Sequence, residues 1–235
     1  MNIAEATECR LPVLTSFSGI DGAGKSTQIQ KLCERLSHAG LSVKQLAFWD
    51  NVVPLARLRA GISHRFLDGE AGIGAPDKPV RRNDKNVRAW YLSVARCGLF
   101  LMDALCLRRV VAAARKGGAD VIVFDRYIYD QLAILPHEHP LTRAYIRFIL
   151  RLAPAPDVAY LLDANPEVAR KRKPEYTVDF LHQYRSNYLH LQQRAGLTLI
   201  PPLTVDEVHD AIVRKLESVS GLGTVGQTPR RMVSA

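Results

Sequence analysis

The stretch L-P-V-L-T-S-F-S-G-I-D-G-A-G-K-S-T, residues 11–27, decides the fold. Residues 11–18 are mostly apolar, as in a buried strand, and residues 25–38 place Ile29, Leu32, Cys33 and Leu36 at helical spacing. Between them lies the pattern G-x-x-x-x-G-K-S/T. Such a turn between strand and helix lets backbone N–H groups surround a polyphosphate, and the helix directs the positive end of its dipole there. The segment therefore predicts a phosphate-binding loop.

The residues of this loop have separate predicted roles. Lys25 would reach the outer phosphates as a point charge, and the Ser26 hydroxyl would be a ligand of Mg²⁺. The other residues predicted to line the phosphates are Gly19, Asp21, Gly22, Ala23, Gly24 and Thr27.

A second apolar run, 121–124, is followed by an acid and a base. Asp125 would stand at the carboxyl end of a buried strand, where it could hold the Mg²⁺ shell. Arg126 comes next, and its planar guanidinium could clamp an acceptor phosphate with two hydrogen bonds. A surface salt bridge is the alternative interpretation of Arg126.

Strand and helix patterns alternate along the rest of the chain. Strands are predicted at 41–48, 119–125, 157–163 and 197–200, and helices at 87–116, at 165 onward, at 178–195 and at 205–219, with short helices within 127–152. The alternation predicts an α/β fold with a five-stranded parallel sheet and helices on both faces. We expect a loop at 67–86 and a disordered tail at 221–235.

Composition narrows the class of protein. The 235 residues suit one domain, which we expect at 1–220, and no apolar run approaches the ~18 residues of a membrane span. The net charge of +9 favours anionic partners. The four cysteines lack metal-ligand spacing, and the first ten residues lack the apolar core of a signal peptide. We therefore expect reduced thiols and a cytoplasmic location.

Three blocks together resemble the thymidylate kinase family of nucleoside-monophosphate kinases. They are F-S-G-I-D-G-A-G-K-S-T-Q at 17–28, V-I-V-F-D-R-Y at 121–127 and P-D-V-A-Y-L-L-D-A-N-P-E-V-A-R at 156–170. The resemblance implies the P-loop NTPase fold of nucleotide kinases with a small helical lid. It also implies ATP with Mg²⁺ as phosphoryl donor and a nucleotide acceptor, with dTMP the first candidate. Asp21 would lie near the acceptor sugar, and Arg126 would grip the acceptor phosphate.

A basic run, Arg170-Lys171-Arg172-Lys173, follows the third block. Members of the family that lack an arginine in the phosphate loop take it from the lid, and position 22 is glycine here. The resemblance therefore implies that Arg170 and Arg172 are catalytic, with Arg185 a weaker candidate and a lid at about 165–190. A solvated helix face is the alternative.

The acceptor side departs from the family's pattern. The second strand leads into F-W-D-N-V-V-P, residues 48–54, rather than a segment of the R-E-P-G-G type. On the helix at 87–116, Arg96 and Asp103 interrupt an apolar stripe, and a charge there needs a partner or a ligand. We predict that they line the acceptor pocket, and local pairing is the alternative. The same helix is apolar on two faces, which is compatible with a homodimer.

Two other functions remain open. A kinase of the same fold could phosphorylate a nucleoside or another small hydroxyl compound. A nucleotide-dependent switch or nucleic-acid-binding regulator is disfavoured, since the sequence lacks an N-K-x-D guanine reader and a basic face with interleaved aromatics. The string His137-Glu138-His139 has no third ligand at a suitable spacing, so we interpret it as a polar loop.

Overall fold

The computed structural model of the protein describes residues 11–53 and 90–220. Its five strands form one fully parallel sheet in the order β2-β3-β1-β4-β5. They are β1 Val13–Ser18, β2 Val43–Ala47, β3 Val121–Asp125, β4 Val158–Leu162 and β5 Thr198–Ile200. The prediction of a five-stranded parallel sheet is confirmed.

The described helices connect these strands and cover the sheet. They are α1 Lys25–His38, α2 Trp90–Arg115, α3 Ile128–Leu132, α4 Pro140–Leu152, α5 Pro166–Arg172, α6 Val178–Ala195 and α7 Val205–Ser220, with a π-helical turn at Phe48–Val52 after β2. Helices α1 and α6 have the predicted bounds. None of the helices in the described ranges is long and apolar enough to cross a membrane.

The helix starts follow from local chemistry. Asn165 caps α5 by accepting from the backbone nitrogens of Glu167 and Val168 at 2.9 and 3.2 Å. Before α7, the Glu207 carboxylate accepts from the Thr204 nitrogen at 3.0 Å, the reciprocal contact of a capping box. The loop predicted at 67–86 and the tail predicted at 221–235 lie outside the described residues.

The sheet is buried on both faces. Along β3, Val121 and Val123 pack with α1 and α7, whereas Ile122 and Phe124 pack with α2, α3, α4 and α6. This alternation follows from the two-residue repeat of a strand, and burying both faces explains the continuous apolar run. Helix α6 belongs to the main core, since it buries Leu181, Tyr184, Tyr188 and Leu191.

Candidate active site

The parallel register brings three chain segments to one edge of the sheet. Phe17 of β1 pairs with Asp125 of β3, and Ser18 pairs with Leu161 of β4. The phosphate loop therefore begins beside Asp125 and Arg126 at the end of β3. It also begins beside the connection from β4 to α5. Carboxyl ends of neighbouring parallel strands are the usual place for a ligand site in such sheets.

The phosphate loop requires glycine at two crowded positions. Gly19 and Gly22 have φ angles of 142° and 85°, which L side chains rarely adopt. A Cβ at Gly19 would lie 2.4 Å from the Leu162 carbonyl oxygen, and one at Gly22 would lie 2.4 Å from that of Ala169 in α5. The backbone of α5 thus rests directly on the loop, and position 22 has no room for a side chain. An arginine at this point of the loop is sterically excluded.

Lys25 is folded back against the loop. Its side chain is buried, and Nζ donates to the carbonyl oxygens of Gly19 at 2.7 Å and Ile20 at 2.9 Å. Burial, followed by repulsion from Arg126, lowers the pKa of Lys25 to about 8, against the opposing attraction of nearby carboxylates. The ammonium is thus held at the loop by carbonyl oxygens that an incoming phosphate can replace.

Two oxygen groups fit the predicted Mg²⁺ site. Ser26 is exposed in the first turn of α1, and Asp125 is half-buried at the end of β3. Burial raises the pKa of Asp125, although Arg126 and Lys25 oppose the shift. Mg²⁺ is usually bound by one or two protein oxygens, with phosphates and waters completing the shell. A hydroxyl and a carboxylate are suitable donors, and no larger cluster of acids, histidines or cysteines occurs in the described ranges.

Arg126 lies between two carboxylates. It adopts φ 65°, in the left-handed region that is unusual for a residue with a side chain, and its nitrogen donates to the Phe17 carbonyl oxygen at 2.9 Å. Nη2 pairs with Asp21, and Nη1 donates to Asp130 Oδ1 at 3.1 Å. Burial lowers the pKa of Arg126, but Asp130 and Asp21 outweigh it and raise the pKa above its ordinary value. The guanidinium therefore stays charged.

Asp130 was missed by the sequence analysis. It is 1% exposed, and its carboxylate accepts from Ser18, the Tyr127 nitrogen and Tyr188 as well as from Arg126. The available signal was an acid three residues after a helix start, inside a mostly apolar stretch at 127–135. That signal is also typical of an ordinary helix cap, so sequence alone does not single the residue out.

Helix α5 carries the predicted lid arginines over the loop. Ala169 is fully buried, Arg170 is half-buried and Arg172 is exposed. Lys173 Nζ lies 3.9 Å from Asp21 Oδ1. Burial raises the pKa of Asp21, but Arg126, Lys25 and Lys173 together lower it below its usual value. The loop carboxylate is therefore ionised and surrounded by cations.

Arg185, the weaker lid candidate, is engaged elsewhere. Its Nε and Nη2 donate to the two carboxylate oxygens of Asp163, each at 2.6 Å. This bidentate pair joins α6 to the end of β4, and planar pairing of this kind holds both groups in a fixed orientation. Arg185 thus contributes to the body of the site, whereas Arg170 and Arg172 lie on the helix above the loop.

The two charges of the α2 stripe have different surroundings. Asp103 is fully buried and accepts from Gln131 Nε2 at 2.7 Å, whereas Arg96 is half-buried. Asp103 lies on the buried face of α2, which also contains Phe100, Ala104, Leu107, Val111 and Ala114. Asp103 therefore has a local partner, as the alternative interpretation expected. Its contact to an acceptor, and that of Arg96, stays a prediction.

The histidine string makes structural contacts. His137 is buried, and its Nε2 lies 3.1 Å from the Leu132 carbonyl oxygen. Its Nδ1 lies 3.3 Å from Arg194 Nη1. His139 caps α4 through a contact of 3.3 Å between its Nδ1 and the Leu141 nitrogen. Both residues are therefore used in joining α3, α4 and α6.

Comparison with known proteins finds consistent relatives. A thymidylate kinase of Mycobacterium tuberculosis is 30% identical over 196 residues, which cover 78% of this chain and 82% of the relative. A thymidylate kinase of Synechococcus is 29% identical over 88% of this chain and 95% of the relative. A "probable thymidylate kinase" of Methanosphaera stadtmanae is 26% identical over 86% of this chain and 97% of the relative. The sequence matches no family model.

Proposed function

The chain belongs to the thymidylate kinase family, and from this premise we propose that it transfers the γ-phosphoryl group of ATP to dTMP. The reaction is dTMP + ATP → dTDP + ADP, with Mg²⁺ as cofactor. The observation that carries the proposal is a half-buried, charged Arg126 adjoining the phosphate loop and the carboxylate of Asp125. A donor loop and a fixed cation for a second phosphate, side by side, are what a monophosphate kinase needs.

The donor side uses the loop and the start of α1. We assign the ATP phosphates to residues 19–27, with Lys25 on the outer phosphates. Phosphate oxygens would replace the Gly19 and Ile20 carbonyls as partners of the Lys25 ammonium. Ser26 and Asp125 would hold Mg²⁺, which neutralises charge on the phosphates when it is bound.

The acceptor side uses Arg126 and Asp21. A guanidinium has five N–H donors, and the contacts to Asp21 and Asp130 leave donors for phosphate oxygens. Asp21 is ionised and part-buried beside Arg126, which suits a carboxylate that accepts from a sugar hydroxyl. Arg96 and Asp103 stay our candidates for the rest of the acceptor pocket.

The lid is proposed to be shorter than the sequence predicted. Helix α6 is built into the core, so its residues are unsuited to a closing motion. We therefore narrow the lid from 165–190 to 165–177. Arg170 and Arg172 would stabilise the charge on the transferred phosphoryl group, because position 22 of the loop has no room for an arginine.

The decisive experiment compares dTMP with thymidine as acceptors for the wild type and for Arg126→Lys. The wild type is expected to prefer dTMP, because bidentate charge-assisted bonds to its phosphate contribute about 1.5–3 kcal/mol each. Arg126→Lys keeps the charge and loses the fork, so it should remove much of this preference while ATP affinity stays nearly constant. Better use of thymidine by the wild type would instead support a nucleoside kinase, with Asp125 as the base for a hydroxyl.

We also propose that the protein forms a homodimer. Exposed apolar side chains follow one side of α2, and α4, which packs beside it, adds another: Val94, Leu99, Met102, Leu105 and Phe148. Such a surface supports association with a second copy. Leu105→Asp should convert a dimer to a monomer in light scattering, and an unchanged mass would contradict this surface. The cytoplasmic location stays a prediction.

A further inference from the structure

A buried carboxylate, Asp130, contacts the arginine proposed to bind the acceptor. We infer that Asp130 is a positioning residue, which holds the Arg126 guanidinium in the orientation that receives the acceptor phosphate. The inference rests on the proposed function for its kinetic meaning. It goes beyond that function because it assigns a role to a residue that neither the loop motif nor the basic lid includes.

The Asp130 carboxylate is fixed by protein groups on all sides. Its Oδ2 accepts from Ser18 Oγ at 2.7 Å and from the Tyr127 nitrogen at 3.0 Å. Its Oδ1 accepts from the Tyr188 hydroxyl at 2.8 Å and from Arg126 Nη1 at 3.1 Å. Ser18 ends β1, Tyr127 precedes α3, and Tyr188 lies on α6. Three separate elements therefore prevent the carboxylate from turning away from Arg126.

The second carboxylate on Arg126 is held differently. Asp21 belongs to the phosphate loop, and its ion-pair partners among the described residues are Arg126 and Lys173. Arg126 belongs to the proposed acceptor site and Lys173 lies on the proposed lid, so a bound phosphate competes with Asp21 for them. The contact to Asp21 is thus exchangeable, whereas the Asp130 carboxylate that Arg126 contacts is held by three further hydrogen bonds. We assign the orientation of the guanidinium to Asp130 for this reason.

The backbone of Arg126 makes such a fixed partner necessary. Its left-handed conformation turns the chain sharply from β3 into α3, and unusual backbone angles persist only where surrounding contacts hold them. Two contacts do so here: the Arg126 nitrogen on Phe17 and the Tyr127 nitrogen on Asp130. The Asp130 carboxylate therefore stabilises both the backbone turn at Arg126 and the orientation of the Arg126 side chain.

Three variants separate positioning from stability. In Asp130→Asn, an NH₂ group replaces one of the two carboxylate oxygens. Each of these oxygens accepts from two donors, so the NH₂ group would face two donors in either orientation, and those hydrogen bonds must break. Tyr188→Phe removes the hydroxyl that donates to Oδ1 and that contacts the Tyr184 hydroxyl at 3.1 Å, and it leaves the charge in place. Tyr160→Phe is the matched control, since its buried hydroxyl donates to the Ile212 carbonyl oxygen on the other face of the sheet.

The measurements are KM and kcat for dTMP, the affinity for ATP and the thermal midpoint of each variant. Asp130→Asn should raise KM for dTMP by about tenfold or more, and Tyr188→Phe by about threefold, because a charge-assisted network is lost or loosened. For Tyr188→Phe, ATP affinity should stay within about twofold, since no phosphate-loop contact is removed. Asp130→Asn also removes a negative charge that raises the pKa of Lys25, so its ATP affinity should fall as well, and the comparison of dTMP with ATP rests on Tyr188→Phe. Tyr160→Phe should lower the thermal midpoint without changing KM.

Equal KM values for Tyr188→Phe and Tyr160→Phe would overturn the inference, and so would a folded Asp130→Asn variant with normal dTMP kinetics. If Asp130→Asn fails to fold, Tyr188→Phe decides. If the wild type does not phosphorylate dTMP, the proposed function fails. NMR of the Arg126 guanidinium then tests the positioning directly. Hindered rotation in the wild type that is lost in Tyr188→Phe supports positioning, and equal mobility in both proteins refutes it.

Discussion

The two halves of the site are built in different ways. The donor half is a continuous segment, residues 19–27, whose shape comes from glycine backbone angles and the start of one helix. The acceptor half centres on Arg126, which is held by contacts to β1, the phosphate loop and Asp130. Asp130 itself bonds to Ser18 and Tyr188, which are 112 and 58 residues away in sequence.

This difference has a chemical consequence. A backbone-built loop provides N–H groups to any polyphosphate, the Lys25 ammonium adds a positive charge, and Ser26 and Asp125 are proposed to hold Mg²⁺. The acceptor half depends on a network in which each side chain orients the next, so its geometry can change through substitutions far from the ligand. Donor binding should therefore be robust except at the glycines and Lys25, whereas acceptor selection should be sensitive to distant residues.

The largest effect is expected at Lys25, where the donor half depends on one charge. Lys25→Met keeps the buried stem and removes the ammonium, so turnover should fall by about a thousandfold, within the range for loss of a main electrostatic contact. Stability should be retained, because burial already disfavours the charged form. Stopped-flow and calorimetric measurements check the two expectations. Near-normal turnover would mean that the loop is not the donor site.

The next largest effect is expected on α5, which bridges the two halves. Arg170→Ala combined with Arg172→Ala should lower kcat by about a hundredfold and leave KM for ATP nearly unchanged, because the arginines act on charge that develops during transfer. Arg214→Ala on α7, an exposed arginine remote from the loop, is the matched control. A change confined to KM would mean that the two arginines contribute to substrate binding and not to stabilising the transition state.

Sequence reasoning succeeded where the physics is local. The loop pattern and the bounds of α1 and α6 depend on residues within a few positions of each other. It failed where contacts are long-range. The partner of Asp103 on α2 could not be named, since it is Gln131 of α3, 28 residues further along the chain. Asp130 had no distinctive signal for the same reason, because its partners come from three distant elements.

The close contact between α5 and the loop gives a smaller and sharper test. Gly22 and Gly24 have similar φ angles of 85° and 87°, but a Cβ at Gly24 would meet nothing within 4 Å. Gly24→Ala should cost about 1–2 kcal/mol of unfolding free energy for the left-handed backbone alone. Gly22→Ala should cost about 2 kcal/mol more, because its methyl group would overlap the Ala169 carbonyl. Denaturant unfolding measures both, and equal losses would contradict the contact.

The smallest effect is a pH dependence that belongs to the donor half alone. Burial lowers the pKa of Lys25 from 10.5 to about 8, so the free protein loses this charge as the pH rises through 8, and ATP, which favours the charged form, must restore it. The dissociation constant for ATP should be flat below that pH and rise by at most about tenfold per pH unit above it.

Between about pH 8 and pH 10.5, the Lys25 amine binds more protons in the unfolded chain than in the native protein. The contribution of Lys25 to stability therefore increases with pH while ATP affinity decreases. Calorimetry gives the difference between the wild type and Lys25→Met in ATP affinity and in unfolding free energy. Both differences should be independent of pH below pH 7 and should change with pH above pH 8. An ATP affinity that stays constant to pH 9.5 in the wild type would show that the ammonium is not held in the buried position between the Gly19 and Ile20 carbonyls.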